Sequence, residues 1–219
     1  MPLVVSNAAT ARLSGNMVPE GRIIYFDPVE GFTGVTFADL GLFPEDATIF
    51  PNAEITREAI RALNPEGGPS IVVDERITET DITYEVPVLT PDDTVRSLHN
   101  GAPAVALADT DMAGIKVSPF SPGASILGRL IVVAKRPGTD PARLFRVFWH
   151  PRAALQSNGT GDSQGEETLL FNISVRAHTY EPGADFTDVA SQITPYGAIF
   201  TVPANKLQTL LDKLADEAA

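Results

Sequence analysis

The sequence predicts a mainly β protein: a β-sandwich with a short flanking α-helix and a C-terminal amphipathic helix. Three observations carry that expectation. Within residues 77–90, Glu79, Asp81, Thr83 and Glu85 alternate with Ile82, Tyr84, Val86 and Val88, the two-residue period of a half-buried strand. Residues 168–180 do the same, with Phe171, Ile173, Val175 and Ala177 directed inward and Asn172, Ser174, Arg176 and His178 outward. The 18 prolines and 17 glycines among 219 residues favour many short elements joined by turns over long helices. No internal repeat and no strand–helix–strand rhythm appears, so residues 1–219 read as a single domain.

Taken in order, residues 22–27 read as a strand, 34–39 as a weaker one, and 47–50 as extended chain. Residues 54–63 are ambiguous: Ile55 and Thr56 suit a strand, whereas Ala59, Ile60 and Leu63 fall at helical spacing. The Asn64-Pro65-Glu66-Gly67-Gly68-Pro69 run is a loop. The whole of 43–69 is therefore expected to be a long extended arm. It carries Ile49, Phe50, Ile55, Ile60 and Leu63, apolar side chains that a loop leaves exposed unless a neighbouring subunit covers them. The alternative is that 54–63 forms a small helix packed on its own sandwich.

Residues 71–73 and 77–90 continue as extended chain, and a helix follows. Thr90 is the expected N-cap, Pro91 fits the first helical position, Asp92 and Asp93 sit in the positive first turn, and Asn100-Gly101 ends it. Short strands at 104–108 and 114–118 flank an Asp109-Thr110-Asp111 turn. Residues 125–135 are apolar on both faces, as in a strand covered on both sides. A turn at 137–141 leads to a returning strand at 143–150, residues 159–165 read as a flexible polar loop, and 196–202 as a last strand. At about 204–216, Leu207, Leu210, Leu211 and Leu214 form the stripe of an amphipathic helix. Ile82, Tyr84, Val86, Phe171, Ile173 and Val175 are expected to pack against Phe145, Val147 and Trp149, closing the sandwich.

The composition narrows the chemistry. A net charge of −12 opposes sequence-independent nucleic-acid binding, which needs Lys and Arg to displace counterions. The absence of cysteine excludes disulfides, thiolate metal sites and a Cys nucleophile. His99, His150 and His178 lie in separate predicted elements. Asp109 to Gly114 resembles the start of a calcium loop, but Ala113 and Phe120 occupy the fifth and twelfth positions, where oxygen ligands are required. Gly159-Thr160-Gly161 and Gly165 do not join a strand to a helix, and Ser121 to Ser125 lacks the nucleophile-elbow spacing. The pairs Asp92/Asp93 and Glu166/Glu167 are explained by a helix start and a solvated strand entry. No enzymatic activity, cofactor or metal is expected. Residues 1–15 lack a signal-peptide pattern and the apolar runs 104–108 and 130–134 are too short for a bilayer, so cytoplasmic synthesis without membrane insertion is expected.

The run Glu54-Ile55-Thr56-Arg57-Glu58-Ala59-Ile60-Arg61-Ala62-Leu63, the Pro/Gly loop, the alternating Asp81 to Thr90 strand and the helix ending at Asn100-Gly101 resemble the major tail tube proteins of long-tailed bacteriophages. The strand at 22–28, the Gly41-Leu42 loop and the later strands at 130–136, 144–155 and 165–179 fit the same pattern, so the resemblance spans roughly 22–179. It does not extend over 185–203 or the C-terminal helix. The resemblance implies a structural virion protein that assembles into hexameric rings, stacked into a tail tube through which viral DNA passes without specific binding. It implies tape-measure, tail terminator or distal tail proteins as partners, assembly in the host cytoplasm, and a place in the virion tail. Related folds serve contractile injection machines and the type VI secretion tube. A conduit for DNA should repel phosphate, and Glu79, Asp81 and Glu85 on one strand face are the expected lumen charges. Six chains at −12 each carry about −72 per ring. The same face also fits plain solvated surface. Another non-enzymatic virion module (capsid decoration or receptor binding), a secretion-system tube protein, and an enzyme with a scattered site stand as alternatives.

Overall fold

The backbone pairs almost all of its extended segments into one antiparallel sheet. The computed structural model describes residues 21–217 except 30–31, 33–36, 90, 120, 122, 137–138, 140–142, 164 and 182. Its strands are β1 (Gly21–Pro28), β2 (Ala38–Asp39), β3 (Asn52–Ala62), β4 (Ile71–Val88), β5 (Val105–Ala106), β6 (Lys116–Val117), β7 (Ser125–Lys135), β8 (Leu144–Ser163), β9 (Glu166–Val175) and β10 (Ala198–Pro203). The helices are α1 (Asp93–Asn100) and α2 (Leu207–Asp216), with a 3-10 segment at Ala184–Gln192. The large sheet runs β2-β1-β7-β8-β9-β4-β3, and β10 adds to β8; β5 and β6 form a separate small pair. The mainly β character is as the sequence predicts. The long strands belong to one hydrogen-bonded sheet, in which β8 joins β7 to both β9 and β10.

Each face of this sheet has its own apolar core, because side chains change face at every residue. Leu130 and Val132 of β7 join Ile24 and Phe26 of β1, Tyr84, Val86 and Val88 of β4, Leu155 of β8, Phe171, Ile173 and Val175 of β9, and Val95 and Leu98 of α1. The intervening Ile131 and Val133 join Phe145, Val147, Trp149, Phe186, Val202 and Leu214 on the other face, under α2. This corrects the expected core: Tyr84, Val86, Phe171, Ile173 and Val175 are buried, and so are Phe145, Val147 and Trp149, but the two groups lie on opposite faces and do not close on each other. Ile82 is only partly buried.

Several boundaries also move. The helix N-cap is Asp92, whose Oδ1 accepts the Val95 N–H at 2.7 Å; Thr90 lies outside the described residues. Gly101 closes the helix at φ 83°, a conformation that glycine adopts without Cβ strain. Of the polar stretch expected as a loop at 159–165, residues 159–163 are the end of β8, paired with β9 through Gly161↔Thr168 and Ser163↔Glu166 after a bulge between Ser157 and Thr160, and Gly165 lies in the turn. A hairpin end wet on both faces carries no apolar alternation, so it reads as loop. β9 stops at Val175 and Ala177 is exposed.

The end of α2 is fastened by a buried charge. Arg129 donates from Nε to Asp27 Oδ2 at 2.9 Å and from Nη2 to the same oxygen, while Nη1 donates to the Glu217 and Ala215 carbonyls. The Glu217 carboxylate in turn accepts from the Gly183 N–H at 2.9 Å and from the Tyr180 hydroxyl. Arg129 therefore ties β1, β7 and the end of α2 together with little exposed surface.

Two stability outcomes follow. Phe171→Ala removes a side chain that is 1% exposed and met edge-on by the His99 ring at 5.2 Å, and should cost about 3–5 kcal/mol in urea unfolding. A loss under about 1 kcal/mol would place Phe171 outside the core. Arg129→Leu leaves the Asp27 carboxylate buried without its cation and should also cost about 3–5 kcal/mol. Adding Asp27→Leu to that variant should recover much of the loss, read from the same unfolding curves.

Candidate functional site

β4 is much longer than the strand beside it. Its Ile82–Val88 portion pairs with β9, but from Ile71 to Asp81 its only partner is β3. Those residues form a two-stranded ribbon extending about 35 Å beyond the body at about 3.3 Å per residue. Every residue of β3 is exposed, as is β4 from Ile71 to Glu79. This settles the ambiguity at 54–63 as strand: the packed helix does not form, and the arm expected at 43–69 is one leg of a hairpin. Its β-branched and charged residues lie against β4, in which Val73 and Thr78 have no cross-strand partner at two register shifts.

The expected arm residues divide. Ile55, Ile60 and Leu63 are exposed by 49%, 46% and 87%, joined on the other leg by Ile71, Val72, Val73 and Ile77. Ile49 is not an arm residue: it is 2% exposed within the main core, and its carbonyl accepts from Arg22 Nε at 3.1 Å. Phe50 lies under the Arg22 guanidinium, 4.5 Å from its ring centroid. The chain enters the body before Pro51, which sequence spacing alone does not reveal.

Glu79, Asp81 and Glu85 are all exposed and share the face opposite Tyr84 and Val86. The pairing register adds Glu54, which stands directly across from Asp81, while Glu79 opposes Thr56 and Glu85 opposes Asn172. Like charges facing each other across a ladder are unfavourable, so Glu54 and Asp81 weaken the ribbon in the absence of a partner. Nearer the tip the face is mixed, because Arg76 pairs with Glu58 at 2.5 Å. On the other face Arg57 lies 3.9 Å from Glu75. Pairs this exposed stabilise by only a few tenths of a kcal/mol.

At the root of the ribbon the sheet forks. One edge of β8 pairs with β10 over Leu144–Trp149 and with β9 over Ala153–Ser163. Pro151, which has no N–H, sits between the branches, where the ladder is interrupted anyway. The fork opens a cleft of about 460 Å³ between Ala53, Ile82 and Tyr84 on one side and Tyr196, Ala198 and Ile199 on the other. Gly197 sets that wall at φ 111°, where a Cβ would fall 1.9 Å from the Trp149 carbonyl oxygen.

His150 lies on the cleft floor with both ring nitrogens engaged. Nδ1–H donates to the Tyr196 carbonyl at 2.6 Å, and Nε2 accepts from the Tyr84 hydroxyl at 2.7 Å. The carbonyl can only accept, which fixes the neutral tautomer. Burial pushes the His150 pKa below its ordinary value, with the Tyr196 carbonyl opposing, and pushes the Tyr84 phenol far upward. The residue sits alone among its kind in the sequence, so nothing local marks it.

A second histidine lies against a serine. His99 Nε2 lies 2.9 Å from both Ser157 Oγ and the Gly159 carbonyl oxygen. With the proton on Nε2 the ring donates to that carbonyl, and with the proton on Nδ1 the same nitrogen accepts from the Ser157 hydroxyl. His178 donates its backbone N–H to the Pro195 carbonyl. Among the described residues no three His, Asp or Glu side chains converge to hold a metal ion, and no helix is long and apolar enough to cross a membrane. No protein-family model matches the sequence, and none of the curated proteins compared with it matches.

The His150 arrangement gives stability a definite pH dependence. As pH falls through the ordinary value of 6.5, the unfolded chain takes up the proton before the folded chain does. The contribution is therefore complete above 6.5 and declines between 6.5 and the lower folded-state pKa. The urea midpoint should drop between pH 7.5 and 5.5, and His150→Phe should flatten the slope in that window. A wild-type midpoint that stays constant there would show that His150 is not held neutral.

Proposed function

We propose that this chain is a structural, self-assembling subunit whose hexameric rings stack into a phage tail tube, the conduit for DNA ejection into the host. The observation that carries the reading is the ribbon. A two-stranded hairpin without a third strand or a covering layer is marginal in water, and this one exposes large apolar side chains along both legs. Contact with further copies gives it the layer it lacks. The ring and tube come from the likeness of residues 22–179 to tail tube proteins, which also supplies the virion tail as location and the tape-measure, terminator and distal tail proteins as partners. Glu54, Glu79, Asp81 and Glu85 on one exposed face suit a lumen wall that repels phosphate.

Negative-stain microscopy of the purified protein tests the reading, with stacked rings as the expected result. Replacing residues 56–79 by an Asn-Gly turn retains the Ile55↔Thr80 pair and removes the outer ribbon. That variant should remain a folded monomer, with near-wild-type urea unfolding, and form no tubes. Tubes of normal length from it would overturn the role of the ribbon. A map of the assembled tube with Glu79, Asp81 and Glu85 on the outer wall would remove their lumen role.

A further inference from the structure

The sequence contains two Asn-Gly pairs, Asn100-Gly101 and Asn158-Gly159, and the fold brings them to one place. Asn100 and Gly159 both line a cleft of about 240 Å³ beside His99 and Ser157, so the same solvent reaches each pair. In such a pair the backbone nitrogen of glycine can attack the asparagine side chain, because glycine has no Cβ to obstruct the close approach. The attack requires the two residues to turn toward each other. Local backbone constraints therefore decide which pair reacts.

Asn100-Gly101 is held fast. Gly101 caps α1 at φ 83°, and its N–H donates to the Leu98 carbonyl at 3.3 Å. A Cβ on Gly101 would fall 2.5 Å from the Ala124 Cβ, so the following chain packs closely against it. Turning its nitrogen onto the Asn100 side chain would undo the cap. Asn158-Gly159 lies instead in the bulge of β8. Ser157 pairs with Phe171 and Thr160 with Leu169, so Asn158 and Gly159 together span the single residue Leu170 and neither has a cross-strand partner. Both are exposed, Gly159 stands at φ 87°, and no atom lies within 4 Å of the place a Cβ would take.

We infer that Asn158-Gly159 is a self-modification site, at which the folded chain converts its own asparagine to aspartate and isoaspartate while Asn100 stays intact. The Gly159 nitrogen bonds to Asn158 Cγ and gives up its proton. The Cγ–Nδ2 bond breaks, and Nδ2 leaves with that proton as ammonia. Water then opens the cyclic imide. Cleavage of its Cγ–N bond gives aspartate; cleavage of its backbone C–N bond gives isoaspartate, whose main chain runs through Cγ. Either product adds a negative charge, and isoaspartate also lengthens the main chain by one carbon between Ser157 and Gly159. His99 of α1 spans that length, since its Nε2 lies 2.9 Å from both Ser157 Oγ and the Gly159 carbonyl oxygen. The longer chain carries the carbonyl off the ring, and α1 loses that tie to β8.

The purified full-length protein, held in neutral buffer either folded or unfolded in urea, is sampled over time for peptide mass spectrometry. Methyl transfer by an isoaspartyl methyltransferase counts the isoaspartate. In the folded chain acid should form at 158 about tenfold faster than at 100, because Gly101 must first give up its cap hydrogen bond and its packing. In urea, where bulge and cap are both gone, the two rates should converge. In the isoaspartyl fraction, separated by ion exchange, the His99 ring signals should shift in NMR spectra while those of His150 stay in place. Comparable rates at 158 and 100 in the folded chain overturn the site. So does a folded chain without acid at 158 after the unfolded chain has reacted there completely. Unmoved His99 signals in the isoaspartyl form overturn the loosening of α1.

Discussion

A strand has two edges, and the architecture follows from how β8 uses its second one. Its first edge pairs with β7 over most of that strand, while its other edge is divided between β10 and β9. Because two strands occupy one edge in series, a gap must fall between them, and the chain places His150, Pro151 and Arg152 there. Pro151 has no hydrogen to donate, and the Arg152 carbonyl accepts from the Arg176 N–H at 2.9 Å. The fork keeps β10 and the root of β4 apart, opens the cleft, and sets His150 where its two nitrogens bridge them. The same continuity joins both apolar faces through β7, whose alternate residues serve opposite cores.

The division of the core into two faces explains why each helix is needed. α1 contributes Val95 and Leu98 to one face, and α2 contributes Leu214 with the partly buried Leu207, Leu210 and Leu211 to the other. A single sheet buried on one face only would leave Trp149, Val147 and Phe145 in water. The Arg129 network then fixes the end of α2 to β1 and β7, so the second cover is held by a buried ion pair as well as by its leucines. Beyond Asp81 neither face has a cover, and the chain changes from a body with cores to a ribbon without one.

The ribbon and the body obey different energetics. In the body, Tyr84, Val86 and Val88 gain by burial, at roughly 25 cal/mol for each Å² of apolar surface removed from water. Along the ribbon the ladder hydrogen bonds are open to solvent and the ion pairs are screened, so neither adds much stability there.

The local patterns that one side of a strand or helix must satisfy were legible in the sequence. The alternation of Ile82, Tyr84, Val86 and Val88 marked β4, the two-sided apolarity of 125–135 marked β7, and the leucine stripe marked α2, because burial is decided residue by residue within an element. Exposed Glu79, Asp81 and Glu85 followed from the same period. Tertiary pairing alone decided the rest. Residues 54–62 became strand because β4 lies beside them, and 159–163 because β9 does, although neither segment carries apolar alternation. Ile49 belongs to the core because Arg22 holds its carbonyl, and Phe145, Val147 and Trp149 face away from Tyr84 because β8 links both groups in one sheet. The cleft and the His150 bridge come from residues distant in the chain, brought together by a shared edge that no local pattern encodes.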